Sequence, residues 1–177
     1  GARLTITENG EPAKFNLWLG DMQVTAENFK SVPLTDGTAQ YDPLSKRLFL
    51  ENAIINPTGE GEGLKSMIDG LAIYAEGLNV ITTTSATALH NEAPHFTVAG
   101  DGRIFLSGKS FGFYTAPGSA ATFKGCVIDC DGSFGSDNDG AEINVSSATI
   151  KARGKDKATM CGLKKLTLEG SSIVKPE

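Results

Sequence analysis

The densest set of potential ligands in the chain is DCDGSFGSDNDGAE, residues 129–142. It carries Asp129, Asp131, Asp137, Asp139 and Glu142 among glycines and serines. Calcium takes carboxylate and carbonyl oxygens from Gly-rich loops of this kind, so Asp129, Asp131, Asp137 and Asp139 are its candidate ligands. The EF-hand pattern D-x-[DN]-x-[DN]-G-x5-E fits no register of the stretch. The competing reading is a long solvated corner loop. Calcium is therefore the one cofactor left open, and no cofactor is required.

Two other groups invite chemistry. His90 and His95 flank NEAP with Glu92 between them. Two histidines and a carboxylate can hold zinc, but this spacing matches no standard zinc motif. Both histidines read as loop residues at a corner before Phe96. Beyond the acidic stretch lie Lys151, Arg153, Lys155 and Lys157. Carboxylates that hold calcium beside a basic residue would serve a lyase of acidic polysaccharides. A hydrolase would instead need two carboxylates converging about 5–9.5 Å apart. No G-x-S-x-G nucleophile motif is present. The chain reads as non-catalytic, with a polysaccharide-degrading lyase or hydrolase as the alternative. Cys126 and Cys130 would stand about 13 Å apart on an extended strand, too far to bridge. With Cys161 they read as small buried hydrophobes.

Aromatic side chains are the natural platform for sugars, because ring faces stack on pyranose C–H surfaces and exclude water. Trp18, Tyr74, Phe111, Tyr114 and Phe134 are the candidates. Against that, Trp18 can pack in a terminal hairpin, and Phe111 or Phe113 must point inward.

All these residues hang on a repeat. The 177 residues include 21 glycines, and apolar residues alternate in RLTIT, LFL, LAI, FTV and LTL. That is the period of strands. An apolar-x-apolar start recurs at Leu48, Leu71, Phe96, Ala121, Ile143 and Leu166, spaced by 23, 25, 25, 22 and 23 residues. Such a period marks a solenoid. Leucine-rich repeats need L-x-x-L-x-L, which Leu163, Leu166 and Leu168 fit, but three before the other anchors Ser45, Ala93, Gly118 and Gly140 stand instead of leucine. The pattern predicts an all-β, right-handed, single-stranded parallel β-helix of about six coils. The first strand of each coil puts the anchor and the residue two after it inside. The second puts Ile54, Ile81, Ile104/Leu106, Ile128/Cys130, Ile150/Ala152 and Ile173 inside. Corner positions are expected at Gly63-Leu64, Ala88-Leu89, Gly112-Phe113, Gly140-Ala141 and Cys161-Gly162. In this register Asp129 stands beside Lys151 and Asp131 beside Arg153, as opposite charges on strands about 4.8 Å apart.

Residues 1–37 break the period and read as an N-terminal β-hairpin cap, with residues 38–177 as the β-helix, all in one domain. FNLWLGDMQVT turns at Gly20-Asp21, and TAQYDPLSKRLFL turns around Asp42-Pro43. A solenoid end exposes apolar core and unpaired backbone, so it needs such a cover.

The net charge of -5 lacks the basic face that phosphate neutralisation requires, which argues against nucleic acid. No apolar run approaches the roughly 18 residues of a membrane span. The start at Gly1 in place of Met reads as a trimmed segment whose targeting sequence is missing.

The run FNLWLGDMQVTAEN, then GTAQYDPLSKRLFLENAII and DGLAIYAEGLNVIT, resembles a family of secreted right-handed parallel β-helix proteins of Gram-negative gut bacteria. Its features here are Trp18, the Tyr41–Ala53 hairpin and the G-x-N-x-I motif of Gly77–Ile81. The family is largely uncharacterised and often labelled carbohydrate-binding. The resemblance implies a secreted or cell-surface protein and offers no catalytic residues. Together with the repeat it leads to the expectation of a non-catalytic binding or adhesion module, with glycans or cell-surface partners. A purely structural scaffold segment is the third reading. The closing LTLEGSSIVKPE starts a coil that nothing covers. This predicts an incomplete last coil with Leu166 and Leu168 partly exposed, covered by further chain or by end-to-end self-association.

Overall fold

The computed structural model describes residues 9–138 and 140–177. The alternating RLTIT, the first eight residues of the expected cap and the candidate ligand Asp139 lie outside the described residues. Among the described residues no helix is long and apolar enough to cross a membrane. The strands are β1 (Lys14–Leu19), β2 (Met22–Thr25), β3 (Asp36–Asp42), β4 (Arg47–Ile55), β5 (Leu64–Ser66), β6 (Leu71–Glu76), β7 (Leu78–Thr82), β8 (Leu89–Asn91) and β9 (His95–Gly100). They continue with β10 (Arg103–Thr115), β11 (Ala120–Lys124), β12 (Val127–Gly135), β13 (Ala141–Ser146), β14 (Thr149–Arg153), β15 (Met160–Cys161), β16 (Leu163–Glu169) and β17 (Ile173–Pro176).

The chain is a parallel β-helix of about five turns with three sides. The first side stacks residues 47–51 of β4, then β6, β9, β11, β13 and β16. The second stacks the end of β4, then β7, the starts of β10 and β12, β14 and β17. The third stacks β5, β8, the ends of β10 and β12, and β15.

On the first side the expected rungs Leu71, Phe96, Ala121, Ile143 and Leu166 stand in line. The first rung differs. Leu48 pairs with Ile73 and Leu50 with Ala75, two residues from the expected match. A shift of two keeps the same side chains inward, so alternation alone cannot see it. On the second side Ile55, not Ile54, is buried, and Val174, not Ile173, stands under Ile150. Both differences come from corner length. The step from Glu51 to Ile54 is one residue shorter than that from Glu76 to Val80. The step from Glu169 to Lys175 is one longer than that from Ser146 to Lys151.

The G-x-N-x-I segment has a structural account. Gly77 turns the corner at φ +68°, where a Cβ would collide with the Asn52 side-chain oxygen. That oxygen accepts the Leu78 N–H. Asn79 is fully buried; its Oδ1 accepts the Ala53 N–H and its Nδ2 donates to the Glu76 carbonyl. Ile81 fills the core.

The third side overturns one reading. Its inward row runs Leu64, Leu89, Phe113, Phe134 and Met160, not through Gly140-Ala141 and Cys161-Gly162. Residues 129–135 are therefore wall rather than corner loop, and Phe134 is core. Phe113 lies at the centre of a ring cluster, 4.8 Å from Phe134, 5.2 Å from Phe123 and 5.9 Å from Phe96.

Antiparallel strands cover the first turn. β1 and β2 form a hairpin at Gly20-Asp21, and β1 lies on β5, with Leu17 opposite Ser66 and Leu19 opposite Leu64. β3 lies on β4, with Tyr41 opposite Leu48 and Ala39 opposite Leu50. At the far end residues 169–177 continue the wall, as the Ile173 and Glu177 N–H groups donate to Ala148 and Ala152. Leu166, Leu168 and Ile173 stay 42%, 49% and 46% exposed.

Candidate functional site

Outward residues of neighbouring coils form rows. Phe49 of β4 stands in register with Tyr74 of β6, and their rings stack at 5.7 Å and 27°. Ala99 continues the row, so the wall drops beside Tyr74. On the other side, β3, paired with β4, and residues 30–31 line the same space. The result is a groove of about 580 Å³ lined by Lys30, Gln40, Phe49, Glu51, Tyr74, Glu76 and Asp101, among others. Phe49 is 42% exposed. Arg47 holds its guanidinium 5.2 Å from the Tyr74 ring centre, a cation–π contact that restrains the ring. The groove thus offers an apolar aromatic wall with carboxylate, amide and hydroxyl groups on its rim, the usual makeup of a small-molecule site.

Of the five aromatic residues expected to bind ligand, only Tyr74 lines this groove. Trp18 is half-buried in β1, opposite Gln23 and Lys65. Phe111 is 7% exposed, with the Lys157 ammonium 5.1 Å from its ring. Phe134 is buried in the ring cluster and has no face for a ligand. Tyr114 packs its ring at 5.0 Å from His90 and donates its hydroxyl to Asp137. Burial, with the Asp137 charge beside it, pushes the Tyr114 phenol up to about 12. Phe49, Glu51, Glu76 and Asp101 were not singled out from sequence. The signal was the parity of alternation, since Phe49 must point outward between Leu48 and Leu50.

The described acids of the 129–142 stretch do not gather. Asp129 and Lys151 are register partners, as are Asp131 and Arg153, as the repeat predicted. Their ion contacts go elsewhere: Asp129 lies 3.5 Å from Arg103, and Asp131 lies 3.1 Å from Lys155. Asp137 is engaged by Tyr114 and lies 4.0 Å from Lys157. Among the described residues no three His, Cys, Asp or Glu side chains converge as a metal site. The three cysteines are free thiols, and burial pushes Cys126 up to about 11 and Cys130 to about 12, which leaves both unreactive.

The two histidines lie in strands β8 and β9 rather than in a loop. His95 Nδ1 is 2.9 Å from Asp69. His90 lies between Glu62, 3.1 Å from Nδ1, and Glu92 at Nε2, with its side chain 14% exposed. The Nδ1 contact is off the hydrogen-bond direction, so it is an ion contact more than an aligned bond. Burial disfavours the imidazolium, but the two carboxylates outweigh it and hold the His90 pKa above its usual value. A raised folded-state pKa adds stability that is complete below the unfolded value, near 6.5, and is lost as pH rises through the folded value. Thermal melts of the wild type and His90→Gln are therefore expected to differ most below pH 6.5 and to converge at alkaline pH. A gap that widens with rising pH would reverse the assignment.

No family model, curated protein or solved structure matches this chain.

Proposed function

We propose that this chain is a non-catalytic binding or adhesion module for glycans, secreted or displayed at the cell surface. The observation that carries the reading is the stacked Phe49–Tyr74 pair exposed in a polar-rimmed groove. The resemblance to secreted β-helix proteins of gut bacteria agrees with it. A polysaccharide-degrading enzyme working through the 129–157 charges has less support, because Asp129 and Asp131 already face Arg103 and Lys155.

A glycan array combined with a reducing-end assay tests the proposal. Binding without turnover is expected. Tyr74→Ala should weaken binding about ten-fold or more, as loss of one aromatic contact worth about 1.4 kcal/mol would, with the melting temperature little changed. Turnover would favour the enzyme, and silence on the array a structural segment.

End-to-end self-association belongs to the same proposal. About a two-fold axis at Thr167, β16 of a second copy would place Leu166 against Leu168 and Lys165 against Glu169. Light scattering should find dimers at micromolar concentration. Lys165→Glu should dissociate them, and adding Glu169→Lys should restore them. Monomers throughout would end this part of the proposal.

A further inference from the structure

The groove does not stop at its aromatic wall. Asp101, at one end of it, also borders a shallower depression of about 620 Å³ lined by Gly77, Leu78, Gly102, Arg103 and Val127. The two meet over the corner where β6 passes into β7 and β9 into β10. Gly77 and Gly102 bring no side chain there, so nothing rises between the depressions. Leu78 is 52% exposed on the far floor, an apolar contact beyond the corner.

The rim also has a regular charge. Glu51 and Glu76 are register partners, and Asp101 follows Gly100, the partner of Ala75. Each carboxylate comes from its own coil, and the strands of successive coils lie about 4.8 Å apart, which is the scale of one sugar ring. None of the three joins an ion pair among the described residues. Among the described residues, Lys30 is the single cation lining the aromatic depression, and Arg103, which lines the other, lies 3.5 Å from Asp129. Like charges stacked in register oppose one another, so the packing of the wall gives no reason for the row.

We infer, on the basis of the glycan-binding reading above, that the two depressions form one trough for a linear glycan without acidic groups. Successive sugar residues donate hydroxyl or ammonium hydrogens to Glu51, Glu76 and Asp101. The Phe49–Tyr74 wall and Leu78 take the apolar faces at either side of the corner. A polyuronate would bring its own carboxylates against this row and is refused.

The test uses the intact chain and matched linear oligomers of two and six sugars. The series covers neutral gluco-, xylo-, manno- and galacto-oligomers, glucosamine oligomers and galacturonate oligomers. At least one neutral or glucosamine hexamer should bind ten-fold or more tightly than its dimer, and the galacturonate hexamer should not bind. Leu78→Ser should weaken the hexamer and leave the dimer unchanged. The combined Glu51→Gln, Glu76→Gln and Asp101→Asn variant should admit the galacturonate hexamer. Galacturonate binding to the wild type as tight as the others, or equal affinity for dimer and hexamer, overturns the trough while the glycan reading stands. Silence across every oligomer overturns both.

Discussion

Phe113→Ala is expected to destabilise the protein by about 3–5 kcal/mol, the cost of a large aromatic cavity in a close-packed core. Phe113 is fully buried and touches the rings of Phe96, Phe123 and Phe134 on three neighbouring strands. A cavity there removes contacts from all of them, and the two walls that meet at this corner cannot close in without breaking their ladders. For a chain of this length each kcal/mol moves the melting temperature by roughly 2–4 °C. The drop should therefore be about 10 °C, measured by circular dichroism. Phe49→Ala is the matched control. Its ring is 42% exposed and contributes only a cross-strand contact, worth about 0.2–1 kcal/mol. Equal losses from the two substitutions would show that the ring cluster is not the packing centre.

The second large effect concerns a polar group. Asn79→Ala strands the buried Ala53 N–H and removes the donor to the half-buried Glu76 carbonyl, which the amide now satisfies at 2.9 and 3.0 Å. A buried unsatisfied group costs about 1–3 kcal/mol, and the small cavity adds to that. The expected loss is at the upper end of this range, read from urea unfolding. Asn144→Ala, on the outward face of β13, should stay within about 0.5 kcal/mol. If Asn79→Ala proves as mild, the amide is not holding the corner between the first two coils.

The repeat was legible because a solenoid writes its core as a column. Leu71, Phe96, Ala121, Ile143 and Leu166 recur at one period, and their strands pair in that register. Corners were not legible. Their lengths vary by one residue, and Ile54-Ile55 and Ile173-Val174 each offer two apolar neighbours, so alternation is silent about which one turns inward. Phe134 was misjudged for a related reason. Ser133 and the glycines around it looked like loop residues, yet in a tight corner small residues let the wall bend and continue. The groove was hidden more deeply. Phe49 and Tyr74 are 25 residues apart, and they meet only when Leu48 is matched to Ile73. The shift of two that left the core reading intact separated the pair. Composition had flagged the 129–142 acids, of which the structure sets Asp129, Asp131 and Asp137 each beside a different cation.

The unequal ends of the solenoid have a kinetic meaning. The β1–β2 and β3–β4 hairpins are joined by short turns, so they can close before any parallel ladder forms. Parallel pairing must wait for a whole coil, and each new coil gains its contacts only from the one already in place. Folding is thus expected to be templated, starting at the hairpins and zipping toward Glu177. The native state should fray in the opposite order. The inward residues of β13 are buried, while those of β16 in the next coil are largely exposed. In the monomer, amide hydrogen exchange should accordingly be slowest around residues 48–98 and accelerate coil by coil toward residues 163–176. A molecule built this way has a direction in time as well as in space.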